Sequence, residues 1–450
     1  MSENHVSAQI RCQVAVIVPA TGKVLTCNFP STRVLPSLTI ARYDRACEQI
    51  QKLFREHWGL NIYLADVLWD QIVEDQALWV AEPLESVVSS NLVAVDIEDL
   101  PGDGKPSDTK ARLRAWVNED FTTKPTSRIG WIGEAQQWIE HVTADRLLPA
   151  YTIKQYNGGG GFSLLRWKAL SGRSYWLKGV AEPNQHEVAI TALVHNLAPN
   201  VSSLLLATRP EWHAWLMLED GASCGSSRPS PSAAIQALVE IQGRSLTHVQ
   251  DLLNRGAFDQ RAGYIQQDLP IIFDYLEESM QMQESTKAPR LSRDNLDTIQ
   301  DTLLYVYQEL TENVPISLLH GDLSGGNVSG NIRQCRLLDW CESYIGFAPI
   351  SLHHLLMLYS REGMPPADIR SKIELYSELW ETGFGIRMTP YALACAPLLA
   401  AASALYGRGT WLHSPMERNR QQRRSYSRTL ARHMAREAQW LKERGQLCHC

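Results

Sequence analysis

The chain of 450 residues is too long for one ordinary domain and predicts two or three. With 44% hydrophobic and 20% charged residues it has the composition of a globular protein, and a net charge of −6 argues against a general nucleic-acid binder. Nine scattered cysteines, an odd number, argue against a disulfide framework. The N-terminus lacks the apolar core of a secretory signal, so we expect a cytoplasmic protein with neither membrane nor nucleic acid as partner.

The first part of the chain alternates β-type runs with one amphipathic helix. Residues 12–28 predict two strands joined by a turn, and residues 41–58 predict a helix that ends at Gly59. Further β-type runs lie at 62–68, 77–81 and 91–97. A polar, proline-containing stretch at 121–128 predicts a linker.

This order of elements, with a helix ending in REHWGL, resembles a Nudix domain, whose signature GX5EX7REUXEEXGU holds metal-binding glutamates. Aligned so that the signature ends at Gly59 and Leu60, the chain keeps Glu56 and has His57 in place of the paired glutamate. One carboxylate is a poor site for two or three divalent ions. The resemblance therefore implies a small α/β Nudix-like domain at residues 1–140 that has lost hydrolysis.

A glycine-rich stretch, NGGGGFS at residues 157–163, precedes two β-type runs. Glycines between strands let backbone amides approach phosphate oxygens closely, because no Cβ stands in the way. Four glycines are also typical of a flexible turn. The candidate phosphate-binding residues are Gly158, Gly159, Gly160 and Gly161.

The next strand carries Lys178, and Glu187 follows at the start of a helix predicted at 184–195. A glutamate there can pair with the lysine, although an exposed lysine and an unrelated surface glutamate would look the same. Strand alternation places Trp176 on the face of Lys178. A strand at 213–218 runs into Glu219.

The rest of the chain is rich in helical patterns, at 233–254, 268–282, 293–312 and 417–444. The apolar run 391–406 is interrupted by Pro397 and rich in alanine, so it predicts a buried helix rather than a membrane span. Acidic residues of two helices would suit a cationic acceptor, or form solvated helix faces: Asp274, Glu277, Glu278 and Glu284 in one, and Glu378 and Glu381 in the other.

Two short β-type runs in the stretch LLHGDLSGGNVSGNIRQCRLLDWCE each end in a carboxylate. The first ends in His320-Gly321-Asp322, with Asn327 five residues after the aspartate, and the second ends in Asp339. Phosphoryl transfer needs a carboxylate near the attacking hydroxyl and oxygen ligands for magnesium. Asp322 meets the first need, and Asn327 with Asp339 meets the second.

These motifs, HGDLSGGNV and LLDWCE, resemble the aminoglycoside phosphotransferase and choline kinase-like family. The resemblance implies an α+β fold, the two-lobed protein kinase-like fold, with a β-rich N-lobe at 141–222 and a helical C-lobe at 223–450. It implies a small-molecule kinase that uses ATP (or GTP) and Mg²⁺ on a hydroxyl substrate. Asp322 would be the base, Asn327 and Asp339 the magnesium ligands, and Lys178, paired with Glu187, the phosphate contact. Glu219 would lie in the hinge whose backbone bonds the nucleotide base, and Trp176 would either stack on that base or narrow the pocket.

Two departures from the kinase pattern stand out. Gly321 occupies the place where protein kinases carry arginine, which favours an enzyme without an activation-loop switch. Ser351 occupies a place where the family usually carries aspartate.

Two other functions remain open at this level: a nucleotide-binding pseudokinase, and a Nudix-type hydrolase with an accessory kinase lobe. The acceptor, the choice of ATP or GTP and the oligomeric state are beyond the sequence.

Overall fold

The computed structural model describes residues 9–28, 33–42, 44–69, 76–86, 91–102, 108–159, 162–219 and 228–444. The chain divides into two compact units. The first comprises Met1–Val188 and Leu204–Glu219, and the second comprises Ala189–Ser203 and Asp220–Cys450. Both mix strands with helices; most strands belong to the first unit and most helices to the second.

The first unit contains two sheets and three complete helices among its described residues. Its elements are, in chain order, β1 (Gln9–Ile17), β2 (Val24–Asn28), β3 (Arg33–Val34), β4 (Ser37–Ala41), α1 (Ala46–Trp58), β5 (Ile62–Trp69), β6 (Gln76–Pro83), β7 (Leu92–Val95), α2 (Thr109–Val117), α3 (Trp131–Thr143), β8 (Lys154–Asn157), β9 (Phe162–Lys168), β10 (Ser174–Val180), the start of α4 (Glu187–Leu197), β11 (Leu205–Arg209) and β12 (Ala214–Leu218).

The N-terminal sheet has seven strands in the order β3-β2-β1-β6-β5, with β4 paired to β1 and β7 paired to β2. The predicted helix is present as α1; it buries Cys47, Ile50 and Phe54 and ends at Gly59, whose φ of 64° is left-handed. The β-type runs after it are present as β5, β6 and β7. These elements do not by themselves show a Nudix domain, which stays a prediction. Glu56, the glutamate kept from the Nudix signature, forms a surface ion pair with Lys52 at 3.9 Å.

The second sheet is antiparallel in the order β11-β12-β10-β9-β8. Its side chains alternate, and one face is buried against α3 and residues of β5. That shared core is formed by Tyr63, Ala65, Trp131, Ala135, Ile139, Leu165, Trp167, Tyr175, Leu177, Trp212 and Leu216, among others. The N-terminal sheet therefore shares apolar packing with the β8–β12 sheet.

The predicted linker at 121–128 is wrong in part, because its second half is buried. Thr126 and Ser127 are 5% and 1% exposed, and the Tyr63 hydroxyl donates to the Thr126 carbonyl at 2.7 Å. The predicted domain limit at residue 140 falls inside α3. The three-domain division stays a prediction.

The second unit is mainly helical. After the remainder of α4 its described elements are α5 (Pro231–Ser245), α6 (Val249–Asn254), β13 (Phe258–Asp259), α7 (Ala262–Gln281), α8 (Arg293–Thr311), β14 (Ile316–His320), β15 (Val328–Asn331), β16 (Gln334–Leu337), β17 (Ser343–Phe347), α9 (Pro349–Arg361), α10 (Pro366–Phe384), α11 (Pro390–Tyr406), α12 (Pro415–Asn419) and α13 (Gln421–Glu443).

Two small sheets lie within this helical unit and position the candidate loop. β14 pairs antiparallel with β17, and β15 pairs antiparallel with β16. The helix predicted at 391–406 is present as the largely buried α11. In the described ranges, no helix combines the length and apolarity that crossing a bilayer requires.

Candidate functional site

Lys178 and Glu187 form a buried ion pair in the first unit. The Lys178 Nζ lies 2.7 Å from a Glu187 carboxylate oxygen, and the two side chains are 9% and 1% exposed. Glu187 is the first residue of α4, where the positive end of the helix dipole favours a carboxylate. The rings of Phe162 and Trp215 flank the ammonium at 5.3 and 5.4 Å from their centroids. The predicted pairing is present, while its role with a nucleotide stays a prediction.

The sheet face that bears Lys178 also carries a polar and aromatic cluster. Arg166 donates two hydrogen bonds to the Glu219 carboxylate, at 2.7 and 2.5 Å. Trp176 Nε1 donates to the same carboxylate at 3.1 Å, and its ring lies 4.9 Å from that of Tyr156. Burial alone would raise the pKa of Glu219, but the bonds from Arg166 keep it below its usual value.

The hydrogen bonds of this cluster occupy groups of Glu219 and Trp176 that could otherwise bind a ligand. The Glu219 N–H donates to the Ser174 carbonyl at 2.9 Å, so both its carboxylate and its N–H bind within the sheet. Trp176 is held at both its ring and its nitrogen. The predicted hinge role of Glu219 stays a prediction. Since its N–H is bonded to Ser174, its carbonyl would have to form the bond to the base.

The glycine-rich stretch begins in close contact with the N-terminal sheet. A Cβ on Gly158 would lie 2.2 Å from Gln155 Nε2 and 2.8 Å from the Leu64 carbonyl oxygen. Gly159 has φ +90°, and a Cβ there would lie 2.8 Å from Val67 Cγ1. Close packing therefore requires glycine at both positions, a requirement that the sequence did not reveal. Gly160 and Gly161 lie outside the described residues.

In the second unit, His320 connects the two motif segments. Its Nε2 lies 2.8 Å from the Leu338 carbonyl oxygen, and its Nδ1 lies 3.3 Å from the Asp322 amide nitrogen. A carbonyl only accepts and an amide N–H only donates, so these two bonds need a proton on Nε2 and a lone pair on Nδ1. The ring is buried, with Trp340 at 4.6 Å between centroids.

Asp322 and Asn327 contact each other directly. The Asn327 Nδ2 donates to the Asp322 carbonyl oxygen at 2.9 Å and to Asp322 Oδ2 at 3.1 Å. The Leu338 N–H donates to the Asn327 carbonyl at 2.9 Å, which ties this loop to the residue before Asp339. Asp339 has φ 68°, a left-handed conformation that aspartate adopts more readily than most residues. The three predicted residues thus lie on two connected segments.

Side chains of α9 support the segment around His320. Ser351, fully buried, accepts from the His320 N–H at 2.9 Å, so a hydroxyl supports the loop at this position. His354 hydrogen-bonds the His320 backbone; burial lowers the pKa of His354 to about 4 despite that bond. The sequence pointed to Ser351 only as a departure, and its signal was a small polar residue inside an apolar helix.

Gly321 has no room for a side chain. A Cβ there would lie 2.2 Å from the Tyr344 ring and 2.6 Å from the Glu342 carbonyl oxygen. The Tyr344 hydroxyl is 2.6 Å from Glu342 Oε2, and Arg408 lies 2.9 Å from the other carboxylate oxygen. The absence of the kinase arginine is therefore also a packing requirement.

The predicted acidic helix residues Glu378 and Glu381 line a cavity of about 770 Å³ between α10, α11 and α13. Its other lining includes Glu374, Arg370 and Trp440. Charges of both signs border the cavity, so the lining does not by itself select a cationic acceptor.

No protein-family model and no curated protein sequence matches the chain. Among solved structures, the apoenzyme of macrolide 2′-phosphotransferase MphH from Brachybacterium faecium is 13% identical, with a TM-score of 0.44 over 66% of this chain and 98% of that one. Choline kinase LicA from Streptococcus pneumoniae is 10% identical, with a TM-score of 0.42 over 68% and 99%. An aminoglycoside phosphotransferase from Alicyclobacillus acidocaldarius is 12% identical, with a TM-score of 0.43 over 69% and 96%. These neighbours are small-molecule kinases, but at such values the likeness carries no inference about the activity of this chain.

Proposed function

We propose that the protein is a small-molecule kinase that transfers the γ-phosphoryl group of ATP or GTP to a hydroxyl of a metabolite or antibiotic. One observation carries the proposal. Asp322 and Asn327 are hydrogen-bonded to each other, and the Leu338 N–H bonds the Asn327 backbone immediately before Asp339. The two-lobed kinase-like fold and the family resemblance belong to this proposal.

Asp322 is the proposed base. Its side chain is exposed, and Asn327 holds Oδ2 through the amide nitrogen. In the reaction the acceptor oxygen forms a bond to the γ-phosphorus while the bond from that phosphorus to the β–γ bridging oxygen breaks. The electron pair leaves with the nucleoside diphosphate, and the acceptor's proton passes to the Asp322 carboxylate.

The donor set fits a magnesium ion. Magnesium prefers oxygen ligands. The Asn327 amide nitrogen bonds Asp322, so its amide oxygen is the atom that would bind the metal. The Asp339 carboxylate would supply the other oxygen ligand. When bound, the metal would neutralise charge on the phosphates. His320 and Ser351 keep these side chains in place, because the imidazole bonds the Leu338 carbonyl and the hydroxyl accepts from the His320 N–H.

Lys178 is the proposed phosphate contact of the first unit. Its pairing with Glu187 fixes the ammonium in one position, which lowers the entropy lost when an anion binds. The glycine-rich loop at residues 157–163 is proposed to bind phosphate through its backbone amides.

The test is magnesium-dependent transfer of labelled γ-phosphate from ATP or GTP to a library of hydroxylated metabolites and antibiotics. We expect a phosphorylated product with the wild-type protein and none with Asp339→Ala. Product formation that survives Asp339→Ala would contradict the assignment. Nucleotide binding without any product would favour the pseudokinase, and the absence of nucleotide binding would overturn the kinase proposal.

A further inference from the structure

At Leu64, the outer edge of the N-terminal sheet is paired by a side chain instead of a strand. β5 is the last strand of that sheet, and its pairing with β6 is irregular between Leu64 and Asp66. Gln155, on β8, is 1% exposed. Its Oε1 accepts from the Leu64 N–H at 2.9 Å, and its Nε2 donates to the Leu64 carbonyl at 2.8 Å. The amide thus pairs with Leu64 as a neighbouring strand would.

The start of the glycine-rich loop rests on this pairing. Gly158 lies so close to the Gln155 amide and the Leu64 carbonyl that no Cβ fits, and its own carbonyl accepts from the Cys47 thiol at 3.9 Å. Gly159 lies against Val67, three residues further along β5. The loop leaves β8 in direct van der Waals contact with β5.

The other end of the loop is bonded to the same strand. Tyr63, on β5 and 1% exposed, has its hydroxyl 3.4 Å from Ser163 Oγ while it donates to the Thr126 carbonyl. Ser163 is the second residue of β9. Gln155 and Ser163 flank the loop, so β5 contacts both of its ends.

We propose that β5 of the N-terminal sheet is a built-in support that positions the two described ends of the glycine-rich loop, Gly158–Gly159 and Ser163, and thereby sets the affinity for nucleotide. Gln155 is its principal positioning residue. This inference rests on the proposed function, because it assumes that the loop binds nucleotide phosphates. It gives the N-terminal sheet a role that needs no hydrolytic site.

The expected effect on affinity comes from the fraction of molecules whose loop is in the binding-competent conformation. A loop that is held in one conformation binds at its intrinsic affinity, whereas a loop that samples many conformations binds in proportion to the competent fraction. Releasing the support should therefore weaken binding without touching Lys178, Asp322 or Asp339.

The first experiment measures the Kd for MgATP by calorimetry, together with amide hydrogen exchange of residues 154–163 in the absence of nucleotide. Gln155→Leu keeps a similar volume but removes both hydrogen bonds, and Tyr63→Phe removes the hydroxyl. We expect faster exchange in both and a Kd raised about tenfold in Gln155→Leu, equivalent to about 1.4 kcal/mol.

The matched control is Thr26→Val. Thr26 is buried on β2, and its hydroxyl donates to the Val93 carbonyl at 3.1 Å, in the same sheet but away from β5. This variant should weaken the N-terminal sheet and leave the Kd unchanged. An equal rise of Kd in Thr26→Val would mean general destabilisation and would overturn the inference.

The sharper test is Gln155→Glu, because it makes the support titratable. A protonated carboxyl reproduces the amide pattern, since its O–H donates to the Leu64 carbonyl and its other oxygen accepts from the Leu64 N–H. An ionised carboxylate has no donor and faces that carbonyl with an acceptor. The Kd of this variant should approach the wild-type value at low pH and rise above it as pH increases, with the wild type measured at each pH.

The outcomes separate the two proposals. If the wild-type protein binds no MgATP, the proposed function fails and this inference fails with it. If the wild type binds and Gln155→Leu and Gln155→Glu bind equally well at every pH, only the inference is overturned, whatever their exchange rates.

Discussion

At the scale of single residues, Asp322 offers the most direct test of chemistry. Asp322→Asn preserves shape and an oxygen acceptor for the Asn327 amide but removes the group that takes the proton. We expect kcat to fall about 100-fold to 10,000-fold, the usual worth of a general base, with an unchanged melting temperature because the side chain is exposed.

The matched control is Ser324→Ala, an exposed change in the same loop that should retain activity. Full activity in Asp322→Asn would show that another group accepts the proton.

Gly321 and Gly326 form a pair of glycines in the same segment with opposite surroundings. A Cβ at 321 would meet the Tyr344 ring and the Glu342 backbone, whereas nothing lies within 4 Å of a Cβ at 326. We expect Gly321→Ala to lower the free energy of unfolding by about 1–3 kcal/mol, as overpacking does, and Gly326→Ala to leave it nearly unchanged. Urea unfolding of both variants measures this, and equal stabilities would contradict the packing argument.

At the scale of elements, His320 joins the end of β14 to the residue after β16. His320→Phe keeps an aromatic ring but leaves the Leu338 carbonyl and the Asp322 N–H without their ring partner. The expected loss is about 1–3 kcal/mol of unfolding free energy, the cost of unpaired polar groups, together with reduced kcat. His248→Phe, on the more exposed turn after α5, is the control. A stable, fully active His320→Phe variant would show that these bonds do not position Asp322.

The elements themselves were largely predictable from the sequence, because their signals are local. α1, α8 and α11 follow from apolar spacing or an apolar run, and the end of α1 follows from Gly59. The helix expected at 233–254 is interrupted by a 3-10 turn at Leu246–His248, which periodicity cannot distinguish from a continuous helix.

What the sequence could not show is long-range contact. The sequence around Thr126 predicts a polar linker, yet the hydroxyl of Tyr63, 63 positions away, donates to the Thr126 carbonyl. The glycines at 158 and 159 read as phosphate ligands, and only the structure shows their packing on Leu64 and Val67. Asp322, Asn327 and Asp339 could be proposed because they are close in sequence, whereas the support from Ser351 could not.

At the scale of the whole molecule, the two units should respond to pH in opposite directions. Burial raises the pKa of Glu82, in the first unit, to about 7 although the Gly130 N–H donates to it. Its folded pKa exceeds the unfolded 4.5, so its contribution to stability is complete below pH 4.5 and is lost as pH rises through 7. Burial lowers the pKa of His353 and His354, in the second unit, from 6.5 to about 4, so their contribution is present above pH 6.5 and is lost as pH falls towards 4.

The measurement is hydrogen exchange of peptides from each unit at pH 5 and pH 8, corrected for intrinsic rates. Glu82→Gln should make the first unit more stable at pH 8, by up to about 3 kcal/mol, and should remove much of its pH dependence. The second unit should not respond to this variant. An unchanged pH profile of the first unit would show that Glu82 does not titrate in that range.

The Gln155 amide has a further consequence for how the molecule behaves among its copies. An uncovered edge strand presents unpaired N–H and carbonyl groups that template the addition of another chain. Here one side chain completes the edge at Leu64. Together with Gly158 and Gly159, which pack on Leu64 and Val67, it leaves this stretch of β5 no room for a strand from a second molecule.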